Sequence, residues 1–307
     1  MTYSIVARDP ETGELGVAVQ SHWFSVGPIV PWARPGVGAV ATQANVEVAY
    51  GPRALDLLQT GVSAPEALQR LLASDPLAAS RQVAIVDARG RVAAHTGADC
   101  MAFAGDVQAD GVSCQANIMA NAEVWPAMLE AYGAAPGSLS ARLLTALSVA
   151  EATGGDLRGR QSAAILVVPA RGEPWDKVTS LRVEDHPDPL VELARLAKLD
   201  EAYRIAGQGD ERTAEGRHDE AAALFARAAE LAPESDELRF WAGLGAAQVG
   251  DMETALAQVG AAIDVHEGWL ELLRRLTPDL APSAPAILAA LEAGVPPETA
   301  PRAAPRG

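Results

Sequence analysis

The chain opens Met1-Thr2, and Thr2 is the first residue whose type and position could do chemistry. A Met ahead of a small residue such as threonine is ordinarily removed by methionine aminopeptidase. Removal leaves a free α-amine beside the threonine's own hydroxyl. An alkyl hydroxyl is too weak an acid to attack an amide at neutral pH and needs an adjacent base. The α-amine, with an ordinary pKa of about 7.7–8.0, can take that proton. One residue then supplies nucleophile and base together, the threonine variant of triad logic. Such chemistry needs a terminus held rigidly, and TYSIVARD (2–9) alternates as a β-strand does. Strands that begin at residue 2 also occur without terminal chemistry, so a purely structural reading stands beside this one.

Other polar residues offer further chemistry. Gln115, Asn117 and Asn121 interrupt the apolar segment CQANIMAN. Amides can donate to an oxyanion or a substrate carbonyl, but a buried asparagine also caps helices, and Asn121 precedes one. DLRGRQS (156–162) sets Asp156, Arg158 and Arg160 ahead of an apolar strand. Paired guanidinium groups can bind a substrate carboxylate bidentately, and they can equally form a structural pair with Asp156. VEDHPDP crowds Asp185, His186 and Asp188 into a proline-bounded turn with the composition of an acid–base or metal site. Asp188 before Pro189 also reads as an ordinary helix N-cap. His95, His218 and His266 stand alone. The chain contains no HExxH, Walker loop, dinucleotide-type glycine fingerprint or CxxC, so no cofactor and no metal are expected. Cys100 and Cys114 are too few for a disulfide framework or a zinc cluster.

These residues must be positioned by the elements around them. After the strand at 2–9 come a turn cluster at 10–14, a strand at 15–21 and an almost wholly apolar strand at 37–44. Helices are expected at 49–61 and 63–75, the second with Ser63 and Glu66 as a capping box. Two strands at 81–97 flank an Asp-Ala-Arg-Gly turn, and further strands lie near 101–107 and 112–118. Helices at 121–133 and 138–154 and strands at 161–169 and 177–185 complete the pattern. Strand groups alternating with helix pairs exclude a βαβ parallel sheet and point to an α+β layered fold. Two sheets packed face to face, each covered by a helix pair, would account for strands as apolar as AVILV.

From about residue 190 alanine-rich helical periodicity takes over. Gly209 recurs as Gly243, Gly216 as Gly250, Ala221 as Ala255, Phe225 as Val259 and Ala228 as Ala262, all at one constant spacing. That spacing matches the tetratricopeptide period of about 34 residues, with small residues where helices cross. The organisation expected is therefore a layered domain at 1–188, a tetratricopeptide-like helical domain at 189–278, and a short helix with a disorder-type Pro/Ala tail at 279–307.

Hydrophobic residues make up 49% of the chain and charged residues 21%, as in ordinary globular proteins, and the formal charge is −16. That charge excludes nucleic acid and anionic membrane as expected partners, since both select basic surfaces. No run approaches the roughly 18 apolar residues of a spanning helix, and no signal segment is visible at the start. A cytoplasmic location is expected.

The stretches TYSIVARDPETGELGVAVQSHWFSVG, VPWARPGVGAVATQA, YGPRALDLL, RQVAIVDARGRVAAHTG, CQANIMAN, DLRGRQSAAILVV and LRVEDHPDPLVEL resemble the uncharacterised bacterial domain-of-unknown-function family 1028, over about 1–195. That family resembles the N-terminal-nucleophile hydrolases. The resemblance implies a four-layer αββα sandwich, with Thr2 at the nucleophile position. It also implies that Ser21 and His22, at the end of the second strand, lie near the nucleophile, although the acidic residue found there in proteasome-like enzymes is absent. Arg34 is the only cation where those enzymes carry a lysine, and an arginine cannot shuttle protons. Thr42, Gln43 and Asn45 fall where an oxyanion-binding backbone is implied.

The expected function is hydrolysis of a small amide or peptide-like molecule, with Thr2, Ser21, Arg34 and Asn117 as catalytic candidates. His22, Thr42, Gln43, Asn45, Gln115, Arg158, Arg160 and His186 are the substrate-binding candidates. The alternative is a non-catalytic scaffold or small-molecule binder. A homo-oligomer is expected under either reading, with the helical repeats available to a partner protein.

Overall fold

The chain starts in a hairpin because its first turn is capped from within. In this computed structural model, which describes residues 2–294, the Asp9 carboxylate accepts the backbone N–H groups of Glu11 and Thr12 at 2.8 and 3.0 Å. Gly13, at φ 75°, completes the reversal between β1 (Thr2–Arg8) and β2 (Leu15–Ser21). The expected loss of Met1 and the Pro/Ala stretch 295–307 lie outside the described residues.

The chain continues through β3 (Pro31–Arg34), β4 (Gly38–Ala44), α1 (Tyr50–Gln59) and α2 (Ala64–Ala73). Next come β5 (Arg81–Asp87), β6 (Val92–Thr96), β7 (Gly105–Ala109) and β8 (Val112–Asn117). Helices α3 (Val124–Ala134) and α4 (Leu139–Ala152) precede β9 (Ser162–Val168) and β10 (Thr179–Val183). The strands form two antiparallel sheets, one in the order β10-β9-β2-β1-β8-β7 and the other β3-β4-β5-β6. Strand β1 is therefore interior, with Tyr3 opposite Gln20 on one side and Thr2 opposite Asn117 on the other.

Side-chain alternation sorts three cores. Tyr3, Ile5, Cys114 and Ala116 point outward from the six-stranded sheet into a core completed by Met128, Leu143 and Leu147 of α3 and α4. Val6, Val17, Val19, Ala39, Ala41 and Val86 meet between the two sheets. Val40, Val83 and Ile85 point outward from the four-stranded sheet onto Ala54, Leu58 and Leu68 of α1 and α2. The layering is thus helices, sheet, sheet, helices.

Two elements differ from their sequence expectation. The strand expected from 101 begins only at Gly105. The helix expected from 121 begins at Val124, because Asn121 accepts the Glu123 N–H at 2.8 Å and donates to the Thr153 carbonyl at 2.8 Å, turning the chain first.

Helix α5 (Pro189–Ala214) is one continuous element, and the chain divides within it into compact units 1–197 and 198–307. The first unit reaches past 188 because Leu193 is fully buried in its outer core. The second unit contains α6 (His218–Leu231), α7 (Asp236–Gln248), α8 (Met252–Val265), α9 (Gly268–Arg275) and α10 (Ala284–Gly294). A Cβ added to Gly209 would lie 2.9 Å from the Phe225 ring, and one added to Gly243 would lie 2.7 Å from Val259. The same two positions thus make the same close crossing in both repeats. No described helix is long and apolar enough to cross a membrane.

Candidate active site

The inward faces of β4 and β5 are apolar except at one end, and there they meet the polar inward residues of β1 and β8. Thr2 and Ser4 alternate with Val6 on β1, Gln43 with Ala41 on β4, and Gln82 with Ala84 on β5; β8 contributes Ser113, Gln115 and Asn117. All seven polar side chains are buried. Buried polar groups of this kind persist only when bonded to one another.

The bonds run in one direction. Ser113 Oγ donates to Gln115 Oε1 at 2.9 Å, Gln115 Nε2 to Ser4 Oγ at 2.6 Å, and Ser4 Oγ to Gln43 Oε1 at 2.7 Å. Gln43 Nε2 donates to Gln82 Oε1 at 2.7 Å, Gln82 Nε2 to Thr96 Oγ1 at 2.9 Å, and Thr96 Oγ1 to the Asp106 carboxylate at 2.7 Å. Each group both donates and accepts, and the anionic terminus polarises the whole chain. Asn117 Nδ2 adds a second donor to Gln82 Oε1 at 2.8 Å.

Thr2 rests on this chain. Its carbonyl accepts from Gln43 Nε2 at 3.3 Å and Asn117 Nδ2 at 3.4 Å, and its Oγ1 lies 3.0 Å from Ser21 Oγ. On the opposite face of β1, the neighbouring Tyr3 hydroxyl donates to Glu151 at 2.7 Å. Burial, followed by the Glu151 charge and hydrogen bond, pushes that phenol well above its ordinary pKa. Thr2 is thereby gripped from both sides of its sheet.

A cavity of about 200 Å³ opens at Thr2. Thr2, Ser21, Gln43 and Asn45 supply its polar wall, and Trp23, Val26, Ile29, Val30 and Val46 its apolar wall. Ala44, at φ 68°, bends the chain where β4 ends against it. A larger hollow of about 640 Å³ in the second unit is lined chiefly by alanines such as Ala222, Ala226 and Ala257.

Of the residues singled out from sequence, Thr2, Ser21, Gln43, Asn45, Gln115 and Asn117 gather at this polar end. The amide donors of Gln43, Gln115 and Asn117 are engaged within the network, and Asn45 Nδ2 donates to Ser80 Oγ at 3.0 Å. Others do not join them. Thr42 faces the α1–α2 layer, one residue out of phase with Gln43, and its hydroxyl donates to the Glu47 carbonyl at 3.1 Å. Arg34 pairs with Gly38 at the far end of β4, five residues from Gln43, roughly 17 Å at about 3.4 Å per residue. Its guanidinium binds Asp56 at 2.9 Å and also Gln59, so it is not the counterpart of an active-site lysine.

Arg158 is paired with Asp156 at 3.1 Å, and Arg160 with Glu151 at 3.4 Å and with Asp188. These contacts match the structural alternative read for that segment. His22 is held by its backbone N–H on Asp156 at 3.0 Å and by its ring on the Arg160 carbonyl at 3.3 Å. The His186 ring accepts the Asp188 N–H at 3.0 Å in the turn just before α5. Among the described residues no three His, Cys, Asp or Glu side chains cluster as metal ligands would.

Gln82 is the residue that sequence reading missed. Its signal was its phase, since it alternates with Ala84 and Val86 and so shares the inward face. Ser4 carried the same signal relative to Val6.

The model of the family of unknown function DUF1028 matches residues 2–193. The chain belongs to this family. A DUF1028 protein from Silicibacter pomeroyi, solved as a crystal structure, is similar to it with 33% identity and a TM-score of 0.59, over 64% of this chain and 84% of that one. No curated protein matches the chain. The DUF1028 stretch contains the entire Thr2 network, and helices α6 to α10 lie beyond it.

Proposed function

We propose that this protein hydrolyses a small amide or peptide-like molecule, with Thr2 as nucleophile once it is the first residue of the mature chain. The observation that carries this reading is the seating of Thr2: a hydroxyl 3.0 Å from Ser21 Oγ, at the wall of a cavity, on an interior strand bonded from both sides. The helices–sheet–sheet–helices layering supports an N-terminal-nucleophile-hydrolase-like sandwich. The matched crossings at Gly209 and Gly243 support a tetratricopeptide-like reading of the second unit, which would serve a homo-oligomer or a partner protein.

In this mechanism Thr2 Oγ1 attacks the substrate carbonyl carbon while its proton passes to the neutral α-amine. Ser21 Oγ, 3.0 Å from Thr2 Oγ1, orients that hydroxyl. The tetrahedral adduct collapses, the carbon–nitrogen bond breaks, and the α-ammonium returns the proton to the departing amine. An ester on Thr2 results. Water then attacks the ester, again giving a proton to the α-amine. Collapse releases the acid and restores the Thr2 hydroxyl. Only the neutral amine can act as base; at an ordinary pKa near 8 that is about a tenth of the molecules at pH 7, so attack should quicken as pH rises toward 8.

A second reading, ligand binding without turnover, is favoured by one observation. Among the described residues lining the cavity there is no cation to lower the amine's pKa. Intact-mass measurement separates the two at the first step: retention of Met1 removes the α-amine from Thr2 and refutes the hydrolase. With Met1 gone, a β-lactone should acylate the wild type at Thr2 and leave the Thr2→Ala protein unmodified. Equal labelling of both proteins would refute the assignment.

A further inference from the structure

We infer that the Thr2 cavity selects a small, uncharged, apolar acyl group; this deepens the hydrolase reading and rests on it only for the covalent step. At about 200 Å³ the cavity lies below the roughly 300–1,000 Å³ of pockets for drug-sized ligands, which suits a short chain such as a branched six-carbon acyl group.

The charge preference follows from the walls. None of the described residues lining the cavity has an ionisable side chain, and Val26 and Val30 are only 1% and 2% exposed. A carboxylate carried by the acyl group would find no cationic side chain there, and the donors of Gln43 are already engaged. Gln43 spends its N–H groups on Gln82, Thr2 and Gln115, and Asn45 spends one on Ser80. In the form that reacts, the Thr2 α-amine is deprotonated and offers no counter-charge. An ammonium group would likewise find no anion. Removing an ion from water without a partner costs several kcal/mol, whereas an aliphatic chain gains by the same transfer. At the mouth, Trp23 is 58% exposed although it lines the cavity, so a bound apolar chain has a large aromatic surface still to cover.

The test uses three β-lactones that differ only in side chain: isobutyl, 2-carboxyethyl and 2-aminoethyl. Ring opening by Thr2 Oγ1 leaves an ester and a new hydroxyl that takes the proton, so the adduct adds the full reagent mass. The isobutyl reagent should acylate Thr2 at least about 100-fold faster than either charged one, as expected for an unpaired charge entering an apolar site. Charged reagents reacting within about tenfold of it would overturn the inference. A binding arm uses the Thr2→Ala protein at pH 9.5, where its α-amine is neutral, with 4-methylpentanamide, glutaramic acid and 5-aminopentanamide, followed by saturation-transfer NMR. The neutral amide alone should bind, Trp23→Ala should weaken it, and Ile29→Lys at the half-buried wall should shift preference toward the anion. If no lactone reacts while this binding pattern holds, the selectivity stands and the nucleophile falls. Equal binding of all three amides, binding of none, or indifference to Trp23→Ala overturns the selectivity itself.

Discussion

Gln82 is the junction of the buried hydrogen-bond chain, and replacing it with leucine is the sharpest test of that chain. Four bonds of 2.9 Å or shorter vanish in Gln82→Leu: those from Gln43, from Asn117, to Thr96 and to the Ala116 carbonyl. Gln43 Nε2 and Asn117 Nδ2 then retain only contacts of 3.3 to 3.4 Å to backbone oxygens. Two buried donors deprived of good acceptors cost about 1–3 kcal/mol each. Leucine recovers part of this by apolar burial, leaving a net destabilisation of about 3 kcal/mol. The assay is hydrogen exchange of the β1 and β8 amides, which reports this unit without requiring the whole chain to unfold in one step. At about 1.4 kcal/mol per tenfold, exchange should accelerate about 100-fold. Gln108→Leu, at an exposed amide of β7, is the control and should change exchange by no more than about twofold. Exchange in Gln82→Leu within about threefold of wild type would refute the claim that the chain holds Thr2 in place.

Other expectations follow from packing and charge. Gly243→Ala should destabilise the second unit by about 1–3 kcal/mol in urea, since the new methyl meets Val259 at 2.7 Å and the Ala255 carbonyl oxygen at 2.9 Å. Gly260→Ala on α8 has open space and should instead stabilise it by about 0.5–1 kcal/mol; the reverse order would discredit the helix crossing. The Arg81 side chain, with the Leu77 N–H, lowers the Asp75 pKa from 3.8 to about 2. A lowered folded-state pKa stabilises above the unfolded value and is lost on acidification. The gap in urea midpoint between wild type and Asp75→Asn should therefore be full at pH 6 and close as pH falls from about 4 toward 2; a gap unchanged by acid would exclude this pairing.

How much of this was visible in the sequence depended on whether a residue's partner was local or distant. Alternation, apolar runs and turn clusters assigned the strands, but that Thr2, Gln43, Gln115 and Asn117 share an inward face shows only once the sheets are stacked. The Ser63 cap was legible because its partner Glu66 is three residues away. Arg34 misled because its charge is satisfied by Asp56 on a helix that the sequence does not visibly aim at it. Thr42 misled by one step of the pleat, since neighbouring strand residues face opposite layers. The segment 101–104 carries apolar residues like a strand, yet Met101 and Phe103 offer their carbonyls to the Ile118 and Met119 N–H groups beyond the end of β8. Gln82 was passed over because an amide at a strand's beginning looks like solvent-facing surface until its phase is counted.

The location of β1 inside its sheet has a consequence for biosynthesis. Its second neighbour, β8, ends at Asn117, so the residues that flank Thr2 reach it only after more than a hundred further codons are read. At about 5–20 residues per second, that is a wait of roughly 6–23 s on the ribosome. Throughout that interval one edge of β1 lacks its neighbour, so the polar cluster around Thr2 is sealed long after Thr2 itself has been made.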